Sequence, residues 1–386
     1  MIDSVPPRSS RFPGAHTVRQ HVAFLVVATM LALPRAAAAQ HPGDIPDWPD
    51  TAEAPCANVD ASQRTTCEAR EAEREAERSR TSRDYHVWLA DRLAEDGGAR
   101  NLAIAANLRA MSISGTLYET GESLPELDKD NRLAAWIERA AREGKEDPLV
   151  QALLNRRFSA SDSARLAALR SQWARLEPGN IAPAMFAAES EQPRTSALPG
   201  LDTASRFDLH YNALLLAVIE AFERHPPGAD RTAVLLVGDV PTLHSYAAAM
   251  AMTMLQLPRF IDTIDACRGD ALDSAPERRT DCLQFGRLLA DDSDTLIAHM
   301  MGLAILVRAS DTACGRAAAE ERRRQAAWLM HRWQLLSDDP TVLADGEASR
   351  QALASTQDEM SYMRAILRHH GIATEPARDW KHVPLP

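Results

Sequence analysis

Asp147–Asn180, DPLVQALLNRRFSASDSARLAALRSQWARLEPGN, is the stretch that decides the fold. Asp147 offers an N-cap oxygen, and Pro148 sits at the first helical position, where a missing N–H costs nothing. One helix is expected over Leu149 to Phe158. Ser161 opens a second, with Leu166, Leu169 and Trp173 on one face, and Pro178-Gly179 ends it. Two short helices joined by a short polar turn predict an antiparallel hairpin.

The same alternation extends in both directions. Towards the N-terminus, Val87, Trp88, Leu89 and Leu93, then Leu102, Ile104, Ala105 and Leu108, recur at helical spacing around Gly97-Gly98, and Asp130 can cap a helix holding Leu133, Trp136 and Ile137. Towards the C-terminus, helices are expected over 205–224, 242–257, 258–266, 276–289, 295–307, 312–336 and 346–369. Thr232 to Val240 has a strand-like core, Val234-Leu235-Leu236-Val237, but no partner strand, so it reads as a buried connection or a helix start. Only 17 glycines and 5% aromatic residues in 386 also favour helices over sheets. The predicted class is all-α, stacked antiparallel helical hairpins, with length enough for two lobes.

The segment Trp173-Ala-Arg-Leu-Glu-Pro-Gly-Asn180 resembles the junction between tetratricopeptide repeats, and Asp147 to Asn180 has that family's repeat length, with Leu153 and Leu154 near its first-helix pair and Pro178 at its closing proline. Arg157 and Leu166 depart from its pattern, and Pro193 would cut short a following repeat. The resemblance covers about one repeat and implies a helical-hairpin stack whose concave surface binds a protein or peptide. The chain as a whole is similar to exported helical proteins of bacteria.

Export is read from the N-terminus. The apolar run Val22–Leu33 follows Arg8, Arg11 and Arg19 and is too short for a bilayer-spanning helix of about 20 residues. Ala37-Ala38-Ala39 offers a small-x-small cleavage pattern. Residues 1–39 are therefore expected to be a signal peptide, leaving a mature chain that begins near Gln40, and the expected address is the periplasm. Next come a proline-rich, acidic lead-in and a charged helix (40–83), an N-terminal helical lobe (84–191), a linker (192–202), a C-terminal helical lobe (203–370) and an irregular tail (371–386). No further membrane span is expected. The net charge of −11 becomes more negative once the leader's arginines are removed, which disfavours nucleic acid as a partner.

An oxidising compartment permits disulfides. Proximity in sequence pairs Cys56 with Cys67 and Cys267 with Cys282, although other pairings stay open. Closing a loop of about 15 residues contributes roughly 3 kcal/mol. Cys314 is left over and reads as a buried free cysteine acting as a small hydrophobe.

No His-Glu-x-x-His, Gly-x-Ser-x-Gly, phosphate loop or dinucleotide-binding glycine pattern occurs, so no catalytic residue and no cofactor is named. Met250 and Met254, which share a helix face, and His299 are soft ligands suited to Cu(I), but methionines also fill gaps between helices, and packing is the expected role. Asp291, Asp292 and Asp294 precede an apolar helix, where Ser293 or Asp294 would be its N-cap. Arg322-Arg323-Arg324 reads as a solvated helix face beside Glu320 and Glu321. The expected function is an exported helical scaffold that binds a protein or peptide. The alternatives are a hydrolase with a site near His210, His244 or His299, and a Met/His copper-handling protein.

Overall fold

A computed structural model describes residue 56 and residues 60–114, 129–155, 163–188, 201–236, 242–255, 257–258, 260–337 and 346–381. The signal-peptide reading, most of the lead-in and most of the 192–202 linker lie outside these. The described residues form sixteen helices and no strand, and they belong to one compact unit.

The first helix, α1 (Ala61–Asp96), is one unbroken element across position 84. Its front half carries the surface pairs Arg74–Glu71 (3.0 Å) and Arg78–Glu75 (3.3 Å), each contributing a few tenths of a kcal/mol. Burial begins at Tyr85 and continues through Leu89, Ala90 and Leu93. Thus the change expected at 83/84 is one of burial, and the backbone runs through it. Gly97 and Gly98, at φ 75° and 82°, turn the chain into α2 (Ala99–Ser114), a conformation open to glycine because it has no Cβ. The middle of α2, Leu102–Leu108 and Ala110, is buried between α1, α3 (Asn131–Glu143) and α4 (Pro148–Leu154). Asp130 caps α3 through the N–H groups of Arg132 and Leu133, and Asp147 caps α4 through that of Leu149. α5 (Ser163–Leu176) and α6 (Ala182–Ala188) complete this group, with Trp173 and Phe186 packed in its core.

The helix expected from Ser205 begins only at Tyr211: α7 is Tyr211–Arg224. The residues ahead of it are held extended by pairing elsewhere. Ser205 and Arg206 N–H both donate to Gly179 O, Arg206 O accepts from Ile181 N–H, and Phe207 N–H donates to Asp292 O. A Cβ on Gly179 would meet Ser205 Oγ at 2.5 Å, so a glycine permits this close approach. α8 (Ala229–Leu235) takes up the first part of the strand-like run, Thr232–Leu235, as helix and packs on α1; residues 237–240 of that run lie outside the described residues. α9 (Leu243–Met254) packs on α7, with Phe222 and Tyr246 stacked at 5.5 Å.

Then come α10 (Phe260–Ala266), α11 (Gly269–Ser274), α12 (Arg278–Asp291), α13 (Leu296–Ala309) and α14 (Ala313–Ser337). α11 lies between the helices expected over 258–266 and 276–289. The helix expected over 346–369 is two, α15 (Gly346–Ser355) and α16 (Glu359–His369). Asp358 starts the second by accepting the Ser361 N–H, and Thr356 turns its hydroxyl back to Ala352 O. Residues 370–381, after α16, form no helix and are docked on α14. Arg324 donates to Ala377 O and Trp380 O, and Trp328 packs edge-on against Trp380 at 5.2 Å.

Both expected disulfides are present, Cys56–Cys67 and Cys267–Cys282, each with Cα atoms 5.7 Å apart. Cys314 corrects the expectation: it is exposed, because it falls in the first turn of α14 ahead of the part that the core covers. Among the described residues no helix is long and apolar enough to cross a membrane.

Candidate functional site

Two places gather the groups that chemistry or binding would need. The first is built where the Pro178-Gly179-Asn180 turn meets the extended segment before α7. Glu177 is nearly buried there and accepts from Trp173 Nε1 (2.8 Å), Asn180 Nδ2 (3.1 Å) and Arg206 (2.7 Å), and it bonds His210 Nε2 at 3.0 Å. Asn180 Oδ1 in turn accepts the N–H groups of Ala182 and Asp208. His210 occupies the left-handed region at φ 62°, which costs a residue with a Cβ roughly 1–2 kcal/mol. Asp208 holds it there: its Oδ1 accepts the His210 N–H at 2.8 Å and lies 3.4 Å from Nδ1.

The electrostatics follow from this arrangement. Burial works against charge on both partners, but the hydrogen bond and charge of His210, with Arg206 and Trp173, carry Glu177 down to about 2. Glu177 and Asp208 outweigh the desolvation of His210 and raise its pKa. Glu177, Asp208 and His210 place one ligand atom each within 4.8 Å of one another, a donor set that suits a divalent cation in kind. Their lone pairs are taken, however. Glu177 Oε2 faces three donors, Oε1 faces Arg206, and both ring nitrogens of His210 face carboxylates. The cluster therefore reads as an ion-pair anchor between the α5–α6 hairpin and α7.

The second place is a cleft of about 180 Å³ lined by Ile219, Phe222 and Glu223 of α7, Thr242, Leu243 and His244 at the start of α9, and Gly346. Thr242 and Ser245 form a reciprocal capping box that fixes this end of α9. His244 Nε2 lies 3.1 Å from Tyr362 OH. Burial, and then the charge of Arg350, hold its pKa at about 4, so the imidazole is neutral at pH 7. Arg350 pairs with both Glu223 and Glu347, leaving the rim one negative charge in excess.

Of the three histidines singled out by sequence, only His244 lines the cleft. His210 is engaged in the anchor, and His299 lies on α13, where burial and then Arg322 lower its pKa to about 4. Met254 is wholly buried and Met250 is partly buried on α9, away in sequence from His299 on α13. Glu177, Asp208 and Arg206 were missed by sequence reasoning because 205–210 read as helix; the one signal was the Glu-Pro-Gly-Asn run itself. Comparison with protein-family models, with curated proteins and with solved structures returned no match for this chain.

Proposed function

We propose that the chain is an exported, periplasmic binding protein that seats a peptide or extended protein segment at the α7–α9–α15 cleft, through an apolar anchor side chain next to a basic residue. The cleft carries this reading. Ile219, Phe222 and Leu243 give it an apolar wall, neutral His244 and Thr242 give it polar atoms that fix orientation, and the Glu223–Arg350–Glu347 rim is net negative. The charge of −11 over the whole chain favours a basic partner in the same sense. Stacked hairpins of the tetratricopeptide kind would present such a surface, an argument from fold analogy. Two disulfides and an apolar leader support export. A hydrolase would want a second histidine and a buried carboxylate beside His244, and among the described residues the cleft's lining supplies neither.

The test is selection of random peptides on the purified exported chain, followed by anisotropy with the enriched sequences. Peptides sharing an apolar residue beside Lys or Arg are expected, with at least tenfold weaker binding to Ile219→Trp, which fills the cleft, and to Glu223→Lys. Enrichment of nothing above a bare-surface control, or equal binding to both variants, overturns the proposal.

A further inference from the structure

His244 turns its two ring nitrogens to different surroundings. Nε2 lies 3.1 Å from Tyr362 OH of α16, and Tyr362 is 2% exposed, with Trp333 of α14 edge-on to its ring at 5.4 Å. Nδ1 engages no hydrogen bond among the described residues and keeps contact with solvent, on a side chain that lines the α7–α9–α15 cleft. The ring is neutral at pH 7, so it carries one proton. Which nitrogen holds that proton decides whether the cleft is offered a donor or an acceptor.

Tyr362 makes the difference. Burial pushes its hydroxyl up to about 12, so it keeps its proton, and a buried O–H needs an acceptor. Ser349 of α15, also buried, hydrogen-bonds the same hydroxyl. Of these three groups the phenol is the strongest O–H donor and a bare imidazole nitrogen the strongest acceptor. The Tyr362 proton is therefore directed at Nε2 while Ser349 donates to the phenolic oxygen, a one-way chain in which each bond polarises the next. Nε2 is then bare, and the single ring proton is on Nδ1. The other polar side chains of the lining are committed: Thr242 Oγ1 accepts the Ser245 N–H and bonds Ser245 Oγ, both at 3.0 Å, and Glu223 pairs with Arg350.

We propose that Tyr362 is a positioning residue that holds His244 as its Nδ1–H tautomer, and that this N–H donates to a main-chain carbonyl oxygen of the segment seated in the cleft, a contact that rests on the peptide reading of the cleft. A carbonyl fits there better than a carboxylate, because the Glu223–Arg350–Glu347 rim is net negative. The class recognised is an extended peptide held at one point by its backbone and beside it by an apolar side chain.

Two measurements on the exported chain separate the tautomer from the ligand. In protein carrying isotopically labelled histidine, long-range nitrogen–proton NMR spectra should show His244 with Nδ1 protonated and Nε2 bare, its signals identified by their absence in His244→Gln. Tyr362→Phe keeps the ring against Trp333 and removes the donor, so it should give a mixture of tautomers. A proton on Nε2 in the parent, or an unchanged pattern in Tyr362→Phe, overturns the relay. Acetyl-Leu-Lys-amide, titrated at pH 7, should shift the Nδ1 signal, with Kd raised about five- to tenfold in His244→Phe and less in Tyr362→Phe. Binding that leaves the Nδ1 signal unmoved, or an unchanged Kd in His244→Phe, overturns the carbonyl contact. No binding at all, with Nδ1 still protonated, upholds the tautomer and overturns the carbonyl contact together with the peptide reading.

Discussion

Asp294, in the loop ahead of α13, accepts the backbone N–H of Tyr211, the first residue of α7, at 2.8 Å. Asp294, expected with Ser293 as a candidate cap for its own helix, serves a distant one, and Thr295 caps α13 through the Ala298 N–H. Glu359 repeats the arrangement: from the first turn of α16 it accepts the Leu296 N–H at the start of α13, at 2.7 Å. Asn212 Nδ2 joins α7 to the α15–α16 turn through Thr356 and Asp358. Two helix N-termini, those of α7 and α13, are thus satisfied by side chains of their neighbours, and Asn212 satisfies the carbonyls of the α15–α16 turn.

This junction makes stability depend on pH. Burial pushes Glu359 up to about 7 from 4.5, against the Leu296 N–H and with help from Asp358. Between those values the folded state holds a proton that the unfolded state has lost, so the contribution falls as pH rises through this window and is constant above it. It amounts to something on the order of 3 kcal/mol. Glu359→Gln keeps an acceptor for Leu296 and removes the titration. Urea unfolding at pH 5 and pH 7.5 should therefore show a smaller loss of stability in the variant than in the parent. His86 and His244, held at about 4, move stability the other way in both proteins and cancel in the difference. Equal losses in the two proteins would refute the account.

The Glu177 anchor predicts the opposite dependence. Glu177 is held near 2, so its contribution is present above the usual carboxylate range and is lost as pH falls from 4.5 towards 2. Glu177→Gln should cost about 3 kcal/mol at pH 7, since it leaves Arg206 and His210 facing each other without their acid. At His210, alanine loses the ion pairs and keeps the backbone strain, whereas glycine loses the pairs and relieves it. His210→Gly should accordingly be more stable than His210→Ala by roughly 1 kcal/mol. Equal stabilities would mean that the left-handed backbone costs nothing there.

Local signals were legible and long-range ones were not. Asp130, Asp147-Pro148, Thr242 and the Gly97-Gly98 turn mark helix ends by chemistry within a few residues, and the structure uses each of them in that way. The start of α7 could not be read, because what keeps 205–209 extended is pairing with Gly179, Ile181 and Asp292. Nor could the split between α15 and α16, where Asn212 draws the carbonyls of Thr356 and Asp358. Of the candidate sites, His210 and His244 were flagged as residue types, but the acids around His210 and the apolar wall beside His244 come from other parts of the chain.

The closest helix contact predicts a sensitive glycine. A Cβ on Gly302 of α13 would sit 2.4 Å from Ala290 N and 2.6 Å from Gly286 O of α12. These are backbone atoms, so relief requires the two helices to separate rather than a side chain to rotate. Gly302→Ala should cost about 1–3 kcal/mol or more, despite the better helix propensity of alanine. Gly346→Ala, where nothing lies within 4 Å, is the control and should be near neutral. A Gly302→Ala protein as stable as the parent would show that α12 and α13 pack less closely than the structure has them.

Cysteine chemistry separates structure from accessibility. Cys267–Cys282 closes the turn that carries α11, and both cysteines are buried. Replacing the pair by serine should cost about 3 kcal/mol and loosen Arg268, which follows Cys267 directly. Cys314 has no bond to lose and is exposed, so Cys314→Ser should leave stability within about 0.5 kcal/mol of the parent. A thiol reagent added to the native, unreduced protein should modify one cysteine, and peptide mapping should find it at position 314. Modification of Cys267 or Cys282 under those conditions would break the pairing. An unreactive native protein would put Cys314 back among the buried residues, where the sequence reading places it.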